Sequence, residues 1–463
     1  MSENRFMTNR MRTRGGRWSL PRIAALAAII ALPFSACNPD DLLDIDDPDV
    51  SRPGAVTGAA GLPAILNAAR GDFQVAYSGT GGTTGFEGLV NMSGLFTDEL
   101  FFTETFPTRV VVDRRRIEND DISNATMRDI FFTIQRARQT AETAIAGFEE
   151  FGAGEAGHSE SLLLAGFAYV LLAEIYCAPL PFSTLDDDSH LVPGPALSRV
   201  QMLDQAITYF TEAQTIAEDV GDTDLEFAAR VGHARALVDK GPANFAAAAA
   251  LVAPVPTEFE YFVFHSDNSD RQNNGIWEFN WNQGRWTQAN AEAGEGLPFR
   301  NGDPRTPFIN LGVGFDGARA LFGTLKYPDR DADVVLASGI EARLIEAEAA
   351  LAAGNPAAAL LILNNLRLTV PGLTPLALQA TATAQQNQLF SERAFWLYLT
   401  AHRLGDLRRL IRDYGRVESQ IFPSGTYTGR GGGTYGPQVA FPVPFEERNN
   451  PNFVPGSCNP NAA

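Results

Sequence analysis

The segment WEFNWNQGRW places Trp277, Trp281 and Trp286 within ten residues, with Arg285 beside the last. Flat indole faces can stack on the apolar faces of sugar rings, while Asn and Arg groups supply hydrogen bonds; concave binding sites combine these features. Such residues offer recognition and not bond making. Read in strand alternation, Trp277 belongs to the core, and Trp281 shares its parity. Trp286 lies beyond Gly284 and is expected at the surface, as the main ligand contact beside Arg285 and Trp281. Tyr77 and Phe86, in a Gly-rich stretch far upstream, are further candidates for ligand contact.

Catalytic patterns are not found. The five histidines, His158, His190, His233, His265 and His402, are far apart, with no His-Glu-x-x-His and no Cys/His pairs at metal spacing. There is no Gly-x-Ser-x-Gly elbow. GGGTYG at 431–436 formally fits Gly-x-Gly-x-x-Gly, but it follows no strand and runs into Pro437, so it reads as a loop. DRDAD at 329–333 resembles half of a calcium loop, yet lacks the Gly and Glu that would complete it. Asp98 and Glu99 are adjacent and cannot oppose each other across a scissile bond. No catalytic residue, metal ligand or cofactor is expected, and the chain is read as a non-enzyme.

The N-terminus carries a different chemistry. Arg5, Arg10, Arg12, Arg14, Arg17 and Arg22 precede a short apolar run at 23–34, which ends Phe34-Ser35-Ala36-Cys37. A basic leader, an apolar core and small residues at a cut site make a secretory signal peptide. The run is shorter than the ~20 apolar residues a spanning helix needs. Small residues directly before Cys37 resemble a bacterial lipobox, although Phe34 stands where Leu is usual. That resemblance implies cleavage before Cys37 and lipidation there; the alternative is an ordinary signal with an incidental cysteine. The acidic stretch that follows, 37–50, breaks at Pro39 and Pro48 and reads as an extended tether.

The 463 residues carry 36 Lys+Arg against 55 Asp+Glu, a net charge of −19, and loss of residues 1–36 would leave −24. So negative a body disfavours nucleic acid as a partner. With Cys37 lipidated, Cys177 and Cys458 remain in an oxidising compartment, and a disulfide between them is predicted; one buried and one exposed thiol is the alternative.

Most readable elements are helical. Ser198-x-x-Gln201 is a capping-box pattern, and Leu203, Ala206, Ile207, Phe210, Ala213 and Ile216 form one apolar stripe behind it. Residues 162–176 are apolar on nearly every face and predict a helix buried among others. Two helical hairpins break at Gly241-Pro242 and at Gly354-Asn355-Pro356, where Gly stops one helix and Asn caps the next. Each unit spans roughly 30 residues, close to a tetratricopeptide repeat. Residues 71–115 and 254–330 lack helical period and read as long irregular insertions, with short strands at YFVFH (261–265) and GIWEFNW (275–281). The tail from 415 reads as Gly/Pro-rich loop. The fold class is therefore all-α: a helical-repeat scaffold with loop insertions and a few short strands, in one domain over 51–463.

This combination resembles the SusD/RagB family of outer-membrane nutrient-binding lipoproteins. In ERAFWLYLTAHRLGDLRRL, Glu392, Arg393, Leu397, His402, Arg403, Asp406, Leu407 and Arg409 fit the family pattern; Trp396, Thr400 and Ala401 depart from it, where Glu, Glu and Gly are common. FPVPFEERNNPNF at 441–453 resembles the closing segment of the family. The Ala-Glu-Ala helix near 345–349, the Asn-x-x-Arg turn after it, Thr97-Asp98-Glu99 and Asp303-Pro304-Arg305 also lie where the family has comparable residues. Asp406 is placed to cap a helix starting at Leu407, with Arg403 and Arg409 in reach of carboxylates. The resemblance implies a lipoprotein facing the cell surface that captures oligosaccharides or peptides and caps a SusC-like, TonB-dependent β-barrel transporter. The alternative reading is an envelope scaffold or assembly protein that binds other proteins through its helical-repeat surface.

Overall fold

Local capping chemistry sets many of the helix boundaries. The computed structural model describes residues 58–82, 85–118, 125–186, 190–292 and 296–463. The leader, Cys37 and the tether lie outside the described residues. Within the unit Arg52–Ala463, α1 is Leu62–Ser78, α2 Gly88–Phe96, α3 Pro107–Asp113, α4 Ala125–Phe151 and α5 Ala156–Ile175. Helix α6 (Arg199–Val220) opens on the reciprocal Ser198/Gln201 box and stops at Gly221, whose φ of 73° is left-handed. Asp222 then caps α7 (Thr223–Asp239), and Gly241-Pro242 leads into α8 (Phe245–Val252). A short turn, α9 (Gly275–Trp277), precedes the last four helices. These are α10 (Gly339–Ala352, capped by Ser338), α11 (Pro356–Leu368, capped by Asn355), α12 (Ala382–Trp396) and α13 (Arg403–Arg412).

From α4 to α8 each helix packs on the next, α8 packs on α10, and α10 packs on α11; α1 lies across α4 and α5. The result is an all-α, tetratricopeptide-like array. Helix α5 is at its centre. Its 20 residues are apolar enough by composition to cross a bilayer, yet most of them are buried by neighbouring helices, as an all-round apolar helix in a globular body must be. Phe210 of α6 enters between α5 and α7, where a Cβ on Gly166 or Gly232 would approach its ring to 2.7 or 2.5 Å. Gly232→Ala is therefore expected to cost about 1–3 kcal/mol by overpacking, although Ala is the better helix former by about 1 kcal/mol. A urea-unfolding midpoint equal to or above the parent's would refute this.

The remaining elements are antiparallel ribbons. β1 (Leu100–Phe102) pairs with β7 (Trp286–Gln288). β2 (Leu180–Pro181) pairs with β5 (Ala196–Leu197), and β3 (Thr184–Leu185) with β4 (Leu191–Val192). β6 (Glu260–Val263) pairs with β10 (Val334–Ser338), and β8 (Phe308–Val313) with β9 (Ala320–Thr324). After α5, Cys177 is disulfide-bonded to Cys458, with Cα atoms 5.2 Å apart, and its N–H donates to Phe441 O at 2.9 Å. The C-terminal tail is thereby held against the end of the central helix.

Three sequence expectations need correction. Residues 71–115 are not irregular: they hold the end of α1, α2 and α3. Helix α2 is buried at every position, so it has no polar face and hence no period to read. GIWEFNW is not a strand but α9 followed by a π-turn at Glu278–Asn282, started by Asn274, whose side chain accepts from Ile276 N and Trp277 N at 2.7 and 3.0 Å. Asp406 caps nothing. Helix α13 begins at Arg403, so Asp406 sits inside it and accepts both Arg393 (2.8 and 2.9 Å) and Arg409 (2.6 Å).

Those contacts belong to a buried lattice of charges. Arg409 reaches Glu348 of α10 at 2.5 Å, and Arg235 of α7 grips Glu174 of α5 at 2.7 and 2.5 Å. Arg403 holds Asp98 through two bonds of 2.7 and 2.8 Å, and Glu392 accepts Arg305 at 2.7 Å and Arg367 at 2.6 Å. Asp98 comes from the first aromatic-rich segment and Arg305 from the second. The lattice thus fixes both segments to the helical array, and paired guanidinium–carboxylate forks are suited to such positioning.

Candidate functional site

The two aromatic-rich segments meet at one surface, built on the β1–β7 ribbon. Upstream of it, the chain leaves α1 through Gly79 (φ 81°), where a Cβ would lie 2.4 Å from Phe86 O; only glycine allows that approach. Thr80 N donates to Phe86 O and Phe86 N to Thr80 Oγ1, each at 2.9 Å, which closes the loop and leaves Phe86 38% exposed. Gln283 Nε2 donates to Gly82 O at 3.1 Å and ties this loop to the second segment.

Beyond β1, Thr103 N donates to Arg285 O at 2.9 Å and Thr103 Oγ1 to Gly284 O at 3.0 Å. Phe315 N donates to Gly284 O at 2.9 Å. These bonds bring together Phe106 (46% exposed), Phe315 (51% exposed) and the Arg285 guanidinium, which lies 5.0 Å from the first ring centroid and 3.8 Å from the second. A mostly buried cation between two half-open rings makes an apolar strip with polar edges. Arg285 Nη1 donates to Glu104 at 3.0 Å and Nε to Gln283 at 2.9 Å; among the described residues Nη2 has no partner.

Beneath the strip, Arg109 bridges Glu87 and Glu104. Burial raises the Glu104 carboxyl from its usual range, with Arg109 and Arg285 opposing, and burial does the same to Glu87 against Arg109. Each carboxylate here is held by arginine, so none stands ready as a general base. The arrangement can stack a flat apolar ring face and hydrogen-bond hydroxyls along its rim. Among the described residues no cluster of His, Cys, Asp or Glu could hold a metal.

The residues singled out from sequence divide sharply. Arg285 is in the strip, with its side chain 14% exposed, and Phe86 is exposed on the loop that Gln283 ties down. Trp286 is not: it is 0% exposed, stacks on Phe279 with centroids 4.9 Å apart, and donates from Nε1 to Asn91 Oδ1 at 3.1 Å. The turn at Gly284 does not release the chain to solvent but starts β7, where Trp286 pairs with Phe102. Tyr77 is also core, its hydroxyl donating to Val335 O (2.9 Å) or Thr400 O (3.0 Å). Trp281 is half-buried over the β8–β9 ribbon, donating to Thr324 O at 2.8 Å. Trp277, expected in the core, is half-buried with Arg330 over its ring at 5.1 Å. Phe106, Phe315, Glu104 and Arg109 escaped sequence reading; the only local signals were Phe106 before Pro107 and Phe315 within a Gly-rich turn.

No protein-family model and no curated protein matches the sequence. Solved structures do share the fold. A SusD superfamily protein from Parabacteroides distasonis ATCC 8503 aligns at TM-score 0.63 and 15% identity, over 85% of this chain and 98% of its own. A laminarin binding SusD-like protein aligns at TM-score 0.61 and 16% identity, over 86% and 99%. A SusD-like carbohydrate binding protein from Bacteroides vulgatus ATCC 8482 aligns at 0.56 and 15%, over 81% and 88%.

Proposed function

We propose that this chain, which has the SusD-like fold, is a lipid-anchored outer-membrane protein that captures a glycan on the Phe106–Arg285–Phe315 strip. It delivers the ligand to a TonB-dependent β-barrel transporter and performs no chemistry on it. The observation that carries the reading is the strip itself: two half-exposed rings flanking a guanidinium, with Gln283 bonded to its edge. Carbohydrate binding by neighbours of the same fold supports it. Cys37, behind a basic and apolar leader, would be the anchor, since acyl chains at a cysteine hold a protein to a membrane without a spanning helix. A single domain over 51–463 would then act as the lid over the barrel.

The test is calorimetric titration of the mature protein with a glycan panel that includes laminarin. Each aromatic contact is worth about 0.5–1.5 kcal/mol, so the Phe106→Ala/Phe315→Ala double variant should bind about tenfold more weakly, or worse, with its circular dichroism unchanged. Equal binding by parent and double variant would remove the strip from the mechanism. If no glycan binds, the capture reading fails. Delivery is tested separately, by recovery of a barrel partner with the tagged full-length protein from its native membrane.

A further inference from the structure

Strand β6 has one free edge. It pairs with β10 on one side, and among the described residues its backbone groups find no partner on the other. That side opens on a groove of about 950 Å³ between α1, the start of α5 and the head of α7. Consecutive residues 260–264 all line the groove. Neighbouring strand residues point to opposite faces, so the groove meets the edge of the strand, and on one face it extends as far as Leu336 of β10. Phe264, 72% exposed, stands beside Phe262 with ring centroids 6.4 Å apart. Four carboxylates, on Glu160, Asp222, Asp224 and Glu260, face one guanidinium, Arg70, which Glu160 already holds at 2.6 and 2.5 Å.

An unpaired strand edge is a template for another strand. Proteins that recognise extended peptides this way draw affinity from main-chain hydrogen bonds and specificity from alternate side chains. We infer that this groove binds an extended basic peptide as an added strand on β6. Its lysine or arginine side chains face Asp222, Asp224 and Glu160, and its apolar side chains rest on Phe262 and Phe264. Charge decides the occupant. The chain's own acidic stretch at 37–50 has the wrong sign, and so does a second copy of a protein with net charge −19. The groove shares no residue with the Phe106–Arg285–Phe315 strip, and the inference does not depend on glycan capture there.

The mature protein should be titrated, by fluorescence anisotropy, with a labelled hexapeptide of alternating Lys and Val. Its backbone N-methylated form and a Glu–Val counterpart serve as controls. Saturable binding of the Lys–Val peptide is expected, lost on N-methylation and in the Glu–Val peptide. Binding should be about tenfold weaker in Asp224→Lys and in Phe264→Ala, two exposed positions whose substitution leaves the fold in place. Absence of saturable binding overturns the proposal, as does equal binding by the N-methylated or the Glu–Val peptide, or by either variant. Displacement of the peptide by laminarin would instead make the groove a glycan site.

Discussion

Asp406→Ala is expected to lower the unfolding free energy by about 3–5 kcal/mol, the usual cost of removing one partner from a buried ion pair. Burial alone would raise the Asp406 carboxyl, but Arg393 and Arg409 outweigh it and hold the group far below the ordinary carboxylate range. Without the carboxylate, two guanidinium groups remain buried with Glu348 as their nearest anion. The sign of the pH dependence follows. A depressed folded-state pKa contributes stability above the unfolded value near 4, and that stability is lost as pH falls below it. Asp406→Asn keeps the shape and one acceptor, so its loss should be intermediate. An Arg393→Met/Asp406→Leu double variant should recover part of the loss, since a paired apolar replacement leaves no orphan charge. Urea unfolding followed by circular dichroism measures all three. An Asp406→Ala midpoint at the parent's value would mean that the lattice is not what ties α12 and α13 to α10.

What the sequence made legible, and what it hid, divides by the range of the interaction. The Ser198/Gln201 box, the Ser338 and Asn355 caps and the buried α5 were readable because each depends on residues a few positions apart. Trp286 was not, because its burial depends on pairing with Phe102, far away in the chain. Parity placed Trp277 and Trp281 in the core, and both are half-buried, for a related reason: Asn274 starts a helical turn where a strand had been assumed. The arginines of the motif at 392–409 were expected to meet carboxylates, but Arg403 meets one 305 positions away. At the candidate site, Arg285 and Phe86 were legible as unusual residues in loops. Phe106 and Phe315 were not, since single exposed apolar residues are common on any protein surface. Only the ring–guanidinium–ring geometry marks them. Ala401 is a finer case: its φ of 58° lies where glycine fits without strain, which gives the departure from the family's usual Gly a physical cost. The turn is nonetheless held: Tyr327 donates to Leu399 O at 3.0 Å, and the Tyr77 hydroxyl lies 3.0 Å from Thr400 O.

Stability is expected to fall as pH rises from about 6.5 to about 8, and Glu99→Gln should flatten that fall. Glu99 is fully buried; its Oε1 accepts Leu399 N–H at 2.8 Å, and its Oε2 has no partner among the described residues. Burial pushes the carboxyl up to about 8, against the Leu399 N–H, with the neighbouring Asp98 charge adding and Arg403 and Lys326 opposing. The folded protein therefore keeps this proton through a window in which the unfolded chain has lost it, so stability drops with pH by at most about 1.4 kcal/mol per unit. Asp113, pushed up to about 7 by burial against its Tyr427 and Phe102 hydrogen bonds, acts in the same direction. His233, His265 and His402, each lowered by burial, act the other way, but only below their ordinary value of about 6.5. So does Lys326, at higher pH. Burial lowers it to about 8, so between there and its ordinary value the unfolded chain holds the extra proton and stability rises again. The profile should pass through a minimum near pH 8. Urea midpoints taken at about pH 5, 6.5, 8 and 9.5, for the parent and for Glu99→Gln, test this directly. A flat or rising profile between about pH 6.5 and 8, or equal slopes in the two proteins, would place the Glu99 proton elsewhere. The consequence reaches the candidate site. Glu99 precedes β1 and its carboxyl accepts from the turn between α12 and α13, so the charge that forms above about pH 8 is buried at the seam on which the Phe106–Arg285–Phe315 strip is built.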